Sequence, residues 1–205
     1  MTRIKIVETV LCFLCISFSA ESQSRREIKE FRKIYAVVLE NYLGSFTNQK
    51  PFSIVVVNTT VNDHPAMVSY QGYSELLNDK QSSSSSAPEW KDFFKQVTER
   101  KTSLAPYPVP KIQGPPDIAL VMSSQDSIKS ILQKGGFWGE FQKVFGAAKG
   151  YIEFSSIIVS KNHKKAVVVL KHIKGVNDGL AVLYLLERVK RKKWNVVGQS
   201  TIGVS

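Results

Sequence analysis

Residues 165–189 read KAVVVLKHIKGVNDGLAVLYLLERV, and this stretch decides the fold class. Its two halves, Lys165 to Ile173 and Leu180 to Val189, are rich in β-branched and large apolar residues, which favour strands. The residues between them, 174–179, contain the glycine, asparagine and aspartate that are typical of turns. Two strands joined by so short a turn are expected to pair antiparallel. Because both halves are apolar at successive positions, and so on both faces, they are predicted to be the central strands of a sheet.

Two further strand-like segments flank this hairpin. Tyr151 to Val159 precedes it across a turn at Asn162-His163, and Lys193 to Val204 follows it across residues 190–192. Consecutive strands joined by short turns predict a four-strand antiparallel meander in the last third of the chain.

The first two thirds of the chain contain segments whose apolar residues recur at helical spacing. These segments cover residues 24–43, 88–100 and 126–145, and the last one contains two helices, the second with an aromatic stripe from Phe137 to Phe145. Residues 52–60 (FSIVVVNTT) predict a strand that is buried on both faces, so the glycosylation motif at Asn58 is expected to have no consequence. We therefore expect an α+β fold, in which a curved antiparallel sheet packs against N-terminal and central helices.

The N-terminus has the three parts of a secretory signal peptide. Residues 1–5 are basic, Thr9 to Phe18 is a mostly apolar run, and small residues suited to cleavage before Ala20 or before Gln23 follow. A transmembrane helix needs about 20 apolar residues, and Glu8 and the polar residues after Ala20 make this run too short. We expect residues 1–22 to be removed and the protein to be exported to the periplasm, the cell envelope or the exterior, with no transmembrane span in the mature chain.

The mature chain is predicted to be one domain, residues 23–205, without cysteine. Both cysteines, Cys12 and Cys15, lie inside the apolar part of the signal, where their C-x-x-C spacing has no redox or metal-binding role. A serine-rich loop is expected near residues 78–87 and an extended, proline-rich segment at 104–116. We expect no disulfide, no metal and no cofactor in this domain.

The strongly basic composition points to anionic partners. The chain has 28 lysines and arginines against 17 aspartates and glutamates, which gives a formal net charge of +11. Such an excess promotes attraction to anions and says little about fold. For an exported protein, the available anions are envelope polymers, anionic lipid, acidic glycans and extracellular nucleic acid, of which an envelope polymer or a glycan is the candidate partner. The alternative is a solvated basic surface with no dedicated partner.

The cations are concentrated at two predicted turns of the meander. One turn holds Lys161, Lys164 and Lys165, and the other holds Arg188, Lys190, Arg191, Lys192 and Lys193. The turns after the first and third strands of a meander emerge at the same end of the sheet, so we expect these eight residues to form one patch. The patch is either a polyanion-binding site or a solvated basic surface without a dedicated partner. Trp194 is the only aromatic residue nearby, and we assign it to the core with Val196. Sequence-specific recognition of nucleic acid is therefore not expected.

Catalytic signals are missing, and no catalytic residue is predicted. The sequence has no nucleophile elbow, no H-E-x-x-H motif and no glycine-rich phosphate or dinucleotide loop. His64 and His163 lie in predicted turns that need no functional role for them. If the protein is instead a small hydrolase, Glu153, His172 and Tyr184 are its candidate site residues, in the concavity between sheet and helices. A pocket of convergent polar groups there favours the hydrolase, and a filled apolar core favours a binding protein.

The order of these segments resembles a family of exported bacterial proteins without an assigned activity. The matching segments are Tyr35-x-x-Val38-Leu39, Ile54 to Thr60, Phe137-Trp138-x-x-Phe141, Gly150-x-Ile152-x-Phe154-Ser155-x-Ile157, Lys165 to Val168, Leu183 to Glu187 and Trp194-x-Val196. The resemblance spans most of the mature chain and implies an export route and a cystatin-like or nuclear-transport-factor-like domain. It implies no reaction. Our leading hypothesis is thus an exported, non-catalytic binding or interaction protein, with the hydrolase as the alternative.

Overall fold

A seven-stranded open sheet with helices on both faces forms the centre of the protein in this computed structural model. The structure describes residues 27–46, 51–60, 87–99, 108–134, 137–189 and 193–204. The helices are α1 (residues 27–44), α2 (Ala87–Glu99), α3 (Gln125–Gln133) and α4 (Phe137–Phe145). The strands are β1 (Phe52–Val57), β2 (Ile118–Ser123), β3 (Ala148–Phe154), β4 (Ile158–Val159), β5 (Lys165–Gly175), β6 (Asp178–Val189) and β7 (Lys193–Val204).

The strand order is β2-β1-β3-β5-β6-β7, and β4 adds a short pairing to β5. Strands β3, β5, β6 and β7 pair antiparallel in sequence order, so the predicted C-terminal meander is confirmed. The sheet curves, and the β6–β7 ladder contains two register shifts of the kind that bend and twist a strand pair. The predicted α+β class is likewise confirmed.

The N-terminal half of the sheet adds parallel pairing to this antiparallel meander. Strand β1 is parallel to both of its neighbours, β2 and β3. Helix α2 lies in the connection from β1 to β2, and α3 and α4 lie between β2 and β3. Such helical crossovers return the chain to the same end of the sheet before the next strand begins, and parallel pairing follows.

The two faces of the sheet are covered by different helices. Helix α1 packs on the first face, where Tyr35 and Leu39 join the apolar side chains of β1, β3, β5 and β6 in one core cluster. Helix α2 packs on the second face over β5 and β6. Helices α3 and α4 also pack on the second face, over β1 and β3. From Ile54 to Val57, strand β1 is buried on both faces, as its β-branched run predicted.

Several predictions from the sequence fall outside the described residues. They are the signal peptide with Cys12 and Cys15, residues 24–26 of the first helical segment, His64, the serine-rich loop up to residue 86, and Lys190, Arg191 and Lys192. Part of the proline-rich segment is described: from residue 109 to residue 115 it has no helix or strand, and it buries Val109 and Ile112 against the first face.

Candidate functional site

The end of β6 lies beside the first predicted basic turn at one end of the sheet. The backbone N–H of Arg188, near the end of β6, donates to the carbonyl oxygen of Lys164 at 2.8 Å. Its guanidinium Nη1 also donates to the carbonyl oxygen of His163 at 3.4 Å. Lys161, Lys164 and Lys193 are exposed around this junction. We refer to the end of the sheet formed by residues 160–165, 187–189 and 193–195 as the basic end.

The β4–β5 turn holds its lysines on a well-defined backbone. The Ser160 hydroxyl donates to Asn162 Oδ1 at 2.7 Å and accepts from the backbone N–H groups of Lys164 and Lys165, at 3.3 and 3.0 Å. His163 has a φ of 55°, a left-handed conformation that lets the chain reverse here. The turn is thus held by its own hydrogen bonds, and its two exposed cations, Lys161 and Lys164, are attached to a fixed backbone.

Lys165 is not a surface cation, in contrast to its expected place in the patch. It is 3% exposed, and its Nζ lies 2.9 Å from Glu187 Oε1 and 3.3 Å from Glu89 Oε2. The same ammonium lies 4.8 Å from the centre of the Trp90 ring, and the Trp90 indole N–H donates to Glu187 Oε1 at 2.6 Å. Because Glu89 and Trp90 belong to α2, this cluster attaches α2 to the second face of the sheet.

Arg188 makes a matching cluster on the first face. Its Nη2 lies 2.5 Å from Glu30 Oε1, and the same oxygen accepts from the indole N–H of Trp194. The guanidinium lies 5.5 Å from the centre of the Trp194 ring. Because Glu30 belongs to α1, this second cluster attaches α1 to the sheet. Trp194 is 1% exposed and packs in the same apolar cluster as Val196, as predicted.

The basic end therefore separates into structural and available cations. Lys165 is held by two carboxylates and an indole, and Arg188 by one carboxylate and an indole. In contrast, Lys161, Lys164 and Lys193 make no ion pair with any residue in the described ranges. Sequence reasoning missed this division because two of the three carboxylates, Glu30 and Glu89, come from distant helices. The Glu30–Arg188 contact joins residues 158 positions apart.

The structure does not bring the candidate hydrolase residues together. His172 lies opposite Ile152 in the β3–β5 ladder. Its ring contacts Tyr42 of α1, so the His172 side chain lies on the first face of the sheet. Tyr184 is buried in the same first-face core. Glu153 is next to Ile152 on the strand and lines a groove with Tyr151 on the second face. Successive side chains of a strand point to opposite faces, so Glu153 is separated from His172 by the sheet.

His172 is a buried, neutral component of the core. Its Nε2 lies 2.8 Å from the Lys149 carbonyl oxygen, which can only accept, so Nε2 carries the proton and Nδ1 accepts from the Tyr42 hydroxyl at 2.8 Å. Burial lowers the pKa of His172 from 6.5 to about 4, and burial likewise raises the pKa of Tyr42 to about 12. The ring thus stays neutral at ordinary pH and joins α1, β3 and β5 through two hydrogen bonds.

Gly150 makes room for this arrangement. Its φ is 103°, and a Cβ there would lie 2.2 Å from the Ile173 carbonyl oxygen and 3.1 Å from His172 Nε2. The space between α1 and the sheet is thus filled by an apolar cluster with His172 as a satisfied polar member.

Further observations concern metal ions, membrane spans and the glycosylation motif. Across the described ranges, no three His, Cys, Asp or Glu side chains are grouped so that they could hold a metal ion. None of the described helices is long and apolar enough to cross a lipid bilayer. Asn58 is half-buried where β1 ends, with its N–H and carbonyl bonded to Ser123 and Val109. No family model, curated protein or solved structure matches the chain, so the family resemblance stays a prediction.

Proposed function

We propose that this chain is an exported, non-catalytic binding protein that holds anionic polymers through its basic end. The observation that carries the proposal is the contact between the end of β6 and the β4–β5 turn, where Arg188 bonds to the backbone of Lys164. This contact brings together cations that are about 30 positions apart in the sequence, Lys161 and Lys164 with Lys193. Anionic envelope polymers and acidic glycans are the partners that fit an exported location.

The ion-pair clusters beneath the basic end support this proposal. They use the carboxylates of Glu30 and Glu187 to hold Arg188 and Lys165, so these acids do not compete for the exposed lysines. They also fasten a helix to each face directly behind the turns. A polyanion would thus meet uncompensated cations on a rigid support, which lowers the ordering cost of binding.

The expected mode of recognition is electrostatic. Cations that replace condensed counterions on a polymer give an affinity that falls steeply as salt rises. The indole of Trp194 is buried beneath Arg188 and is not available to stack on a base. We therefore propose no sequence-specific nucleic-acid recognition.

Retention on immobilised heparin tests this proposal. A variant with Lys190, Arg191, Lys192 and Lys193 changed to serine should elute at clearly lower salt than the wild type, and adding Lys161→Ser and Lys164→Ser should lower it further. Equal elution of all three proteins would show that the basic end has no role in anion binding.

Lys165→Met serves as the control within the same turn. Because Lys165 is buried in the cluster with Glu187 and Trp90, its loss should lower the melting temperature and change heparin retention little. Loss of retention as large as that of the serine variants, without loss of stability, would contradict the division into structural and available cations.

A further inference from the structure

The two edge strands of the sheet, β2 and β7, differ in how their open sides are shielded. Edge strands expose unpaired backbone N–H and C=O groups, and proteins commonly shield them with charges, prolines or bulges. Strand β7 has two bulges, because the register shifts of the β6–β7 ladder leave Val197 and Ile202 as extra residues in β7. Strand β2 pairs with β1 without a shift, and its sequence IALVMS contains neither a charge nor a proline. Strand β2 is therefore a regular and unshielded edge.

Leu120 and Met122 carry the outward backbone groups of this edge. The Ser123 carbonyl oxygen accepts from the Asn58 N–H at 2.8 Å, so the odd-numbered residues of β2 bond to β1. The N–H and C=O groups of the even-numbered residues then point away from β1. Ile118 uses its N–H for a bond to the preceding turn. Among the described residues, no strand pairs with the outer side of β2, so the outward groups of Leu120 and Met122 are available for pairing.

Exposed apolar side chains accompany these backbone groups. Val121 lies opposite Val55 of β1, and Val55 belongs to the core of the second face, so Val121 is on that face as well. Its side chain is 39% exposed. Helix α3, which follows β2 and packs on the same face, exposes Leu132 to 40%. The edge thus combines available hydrogen-bonding groups with apolar surface, the two features that strand addition to a sheet uses.

We propose that two copies of this chain pair through the outer edges of their β2 strands, antiparallel and around a twofold axis at Val121. In this register, Leu120 of each copy lies opposite Met122 of the other, and each such pair exchanges both of its backbone hydrogen bonds. The two Val121 residues form the non-hydrogen-bonded pair between them, with Cα atoms about 4.5 Å apart. The pairing joins the two sheets into one and covers the exposed valine on the second face.

The distribution of charge favours a second copy as the partner. A formal net charge of +11 opposes self-association, so a contact between two copies requires a neutral surface, and β2 provides one. Strand β2 is parallel to β1 and β3, and β3 is antiparallel to β5, which starts at the basic end. Strand β2 therefore runs toward the basic end. Antiparallel pairing of two β2 strands places the two basic ends at opposite ends of the joined sheet, where their repulsion is smallest.

The same strand supplies both sides of this contact. In a twofold interface one surface patch meets its own copy, so a single strand that is complementary to itself closes the assembly at two chains. Six residues of strand span about 20 Å. Interfaces that bury less than about 1,200 Å² in total are typical of weak, reversible association. We therefore expect a reversible dimer with a Kd of about 100 µM or below.

Sedimentation equilibrium of the wild type and of two charged variants tests the pairing and its register. Val121→Lys and Val121→Asp each place like charges against each other at the twofold axis, and each should weaken the dimer at least about tenfold. An equimolar mixture of the two variants brings opposite charges together, so it should associate more tightly than either variant alone. Val144→Lys, at a 60% exposed position of α4, adds the same charge elsewhere and should dimerise like the wild type.

Amide hydrogen exchange of the wild type tests the same pairing without a substitution. The N–H groups of Leu120 and Met122 should exchange at least about fivefold more slowly at a concentration where the dimer dominates than in dilute solution. The N–H of Val121 bonds to β1 in either state and should change little, which makes it the internal control.

Several outcomes would overturn the proposal. A wild type that stays monomeric up to about 500 µM would do so, and this is the result expected if another segment of the chain covers the edge of β2. A Val121→Lys variant that dimerises like the wild type would also do so. So would a mixture of the two charged variants that associates no more tightly than each variant alone, because the two Val121 residues would then not face each other. Unchanged exchange at Leu120 and Met122 across the dimerisation range would contradict β2 as the interface.

Discussion

Replacing His172 with glutamine should flatten the acid dependence of the stability of this protein. The imidazole lies in the core between α1, β3 and β5, with Nε2 donating to the Lys149 carbonyl and Nδ1 accepting from Tyr42. The other groups that act on it are the ring of Phe46, the ammonium of Lys174 and the carboxylate of Asp178. Burial is the largest of these effects, and it favours the neutral ring.

The magnitude follows from the difference in pKa between the two states. The pKa of His172 is 6.5 when exposed and about 4 in the folded protein. As pH falls below 6.5 the unfolded chain takes up a proton that the folded chain does not, so stability is lost between pH 6.5 and about 4. At 1.36 kcal/mol for each pKa unit, the complete loss is about 3 kcal/mol. At about pH 5.5 it is already about 1.4 kcal/mol.

Urea denaturation at a series of pH values, followed by tryptophan fluorescence, measures this effect. His172→Gln should be less stable than the wild type near neutral pH, because the core contacts of the ring are lost. Its free energy of unfolding should then approach that of the wild type as pH falls. Tyr42→Phe is the matched control, since it leaves the imidazole buried and should retain the acid dependence. Parallel profiles for wild type and His172→Gln from about pH 7 to about pH 5 would refute the buried, neutral His172.

Three further predictions concern packing, backbone and export. Trp194→Ala should cost about 3–5 kcal/mol and leave little soluble protein, because the indole is buried and bonded to Glu30; an unchanged denaturation midpoint would place Trp194 at the surface. Backbone strain alone at Gly150→Ala costs about 1–3 kcal/mol, and the loss of stability should be larger because the added Cβ meets the Ile173 carbonyl oxygen. Gly203→Ala, the control, should be near neutral. Equal melting temperatures for the two variants would contradict the geometry. N-terminal sequencing of secreted material should start between Ala20 and Gln23, and reductant should not change its melting temperature; full-length chain found in the cytosol alone would disprove export.

The fold class was accessible from the sequence because it depends on local patterns. The apolar runs of β5 and β6, with a turn between them, specify a central hairpin without knowledge of the rest of the chain. The parallel pairing of β1 was not accessible in this way. The run FSIVVV predicts that β1 is buried on both faces. Burial on both faces does not reveal whether the neighbouring strands are parallel or antiparallel, because it is the same for a strand in a parallel or a mixed sheet.

The candidate site was only partly accessible. The sequence shows where cations cluster, and it predicts that the two turns are neighbours; within the described residues, the end of β6 contacts the β4–β5 turn through Arg188 and Lys164. It does not show which cations are neutralised, because the acids Glu30 and Glu89 come from α1 and α2. The alternation of side chains along β3 places Glu153 and Ile152 on opposite faces of the sheet. That this separates Glu153 from His172 follows only once the β3–β5 register, which pairs Ile152 with His172, is known.

The salt dependence of polyanion binding tests the central claim most directly. The affinity for a heparin oligosaccharide is measured at several salt concentrations for the wild type and for a variant with Lys161, Lys164 and Lys193 changed to serine. A control variant has Lys91, Lys129 and Lys134 changed to serine, which removes the same charge from exposed positions on other elements. If the basic end holds the polymer, its variant should bind more weakly and lower the slope of log K against log salt by about 2, while the control keeps nearly the wild-type slope. Equal slopes for the two variants would contradict the account, because binding would then depend on net charge and not on the basic end.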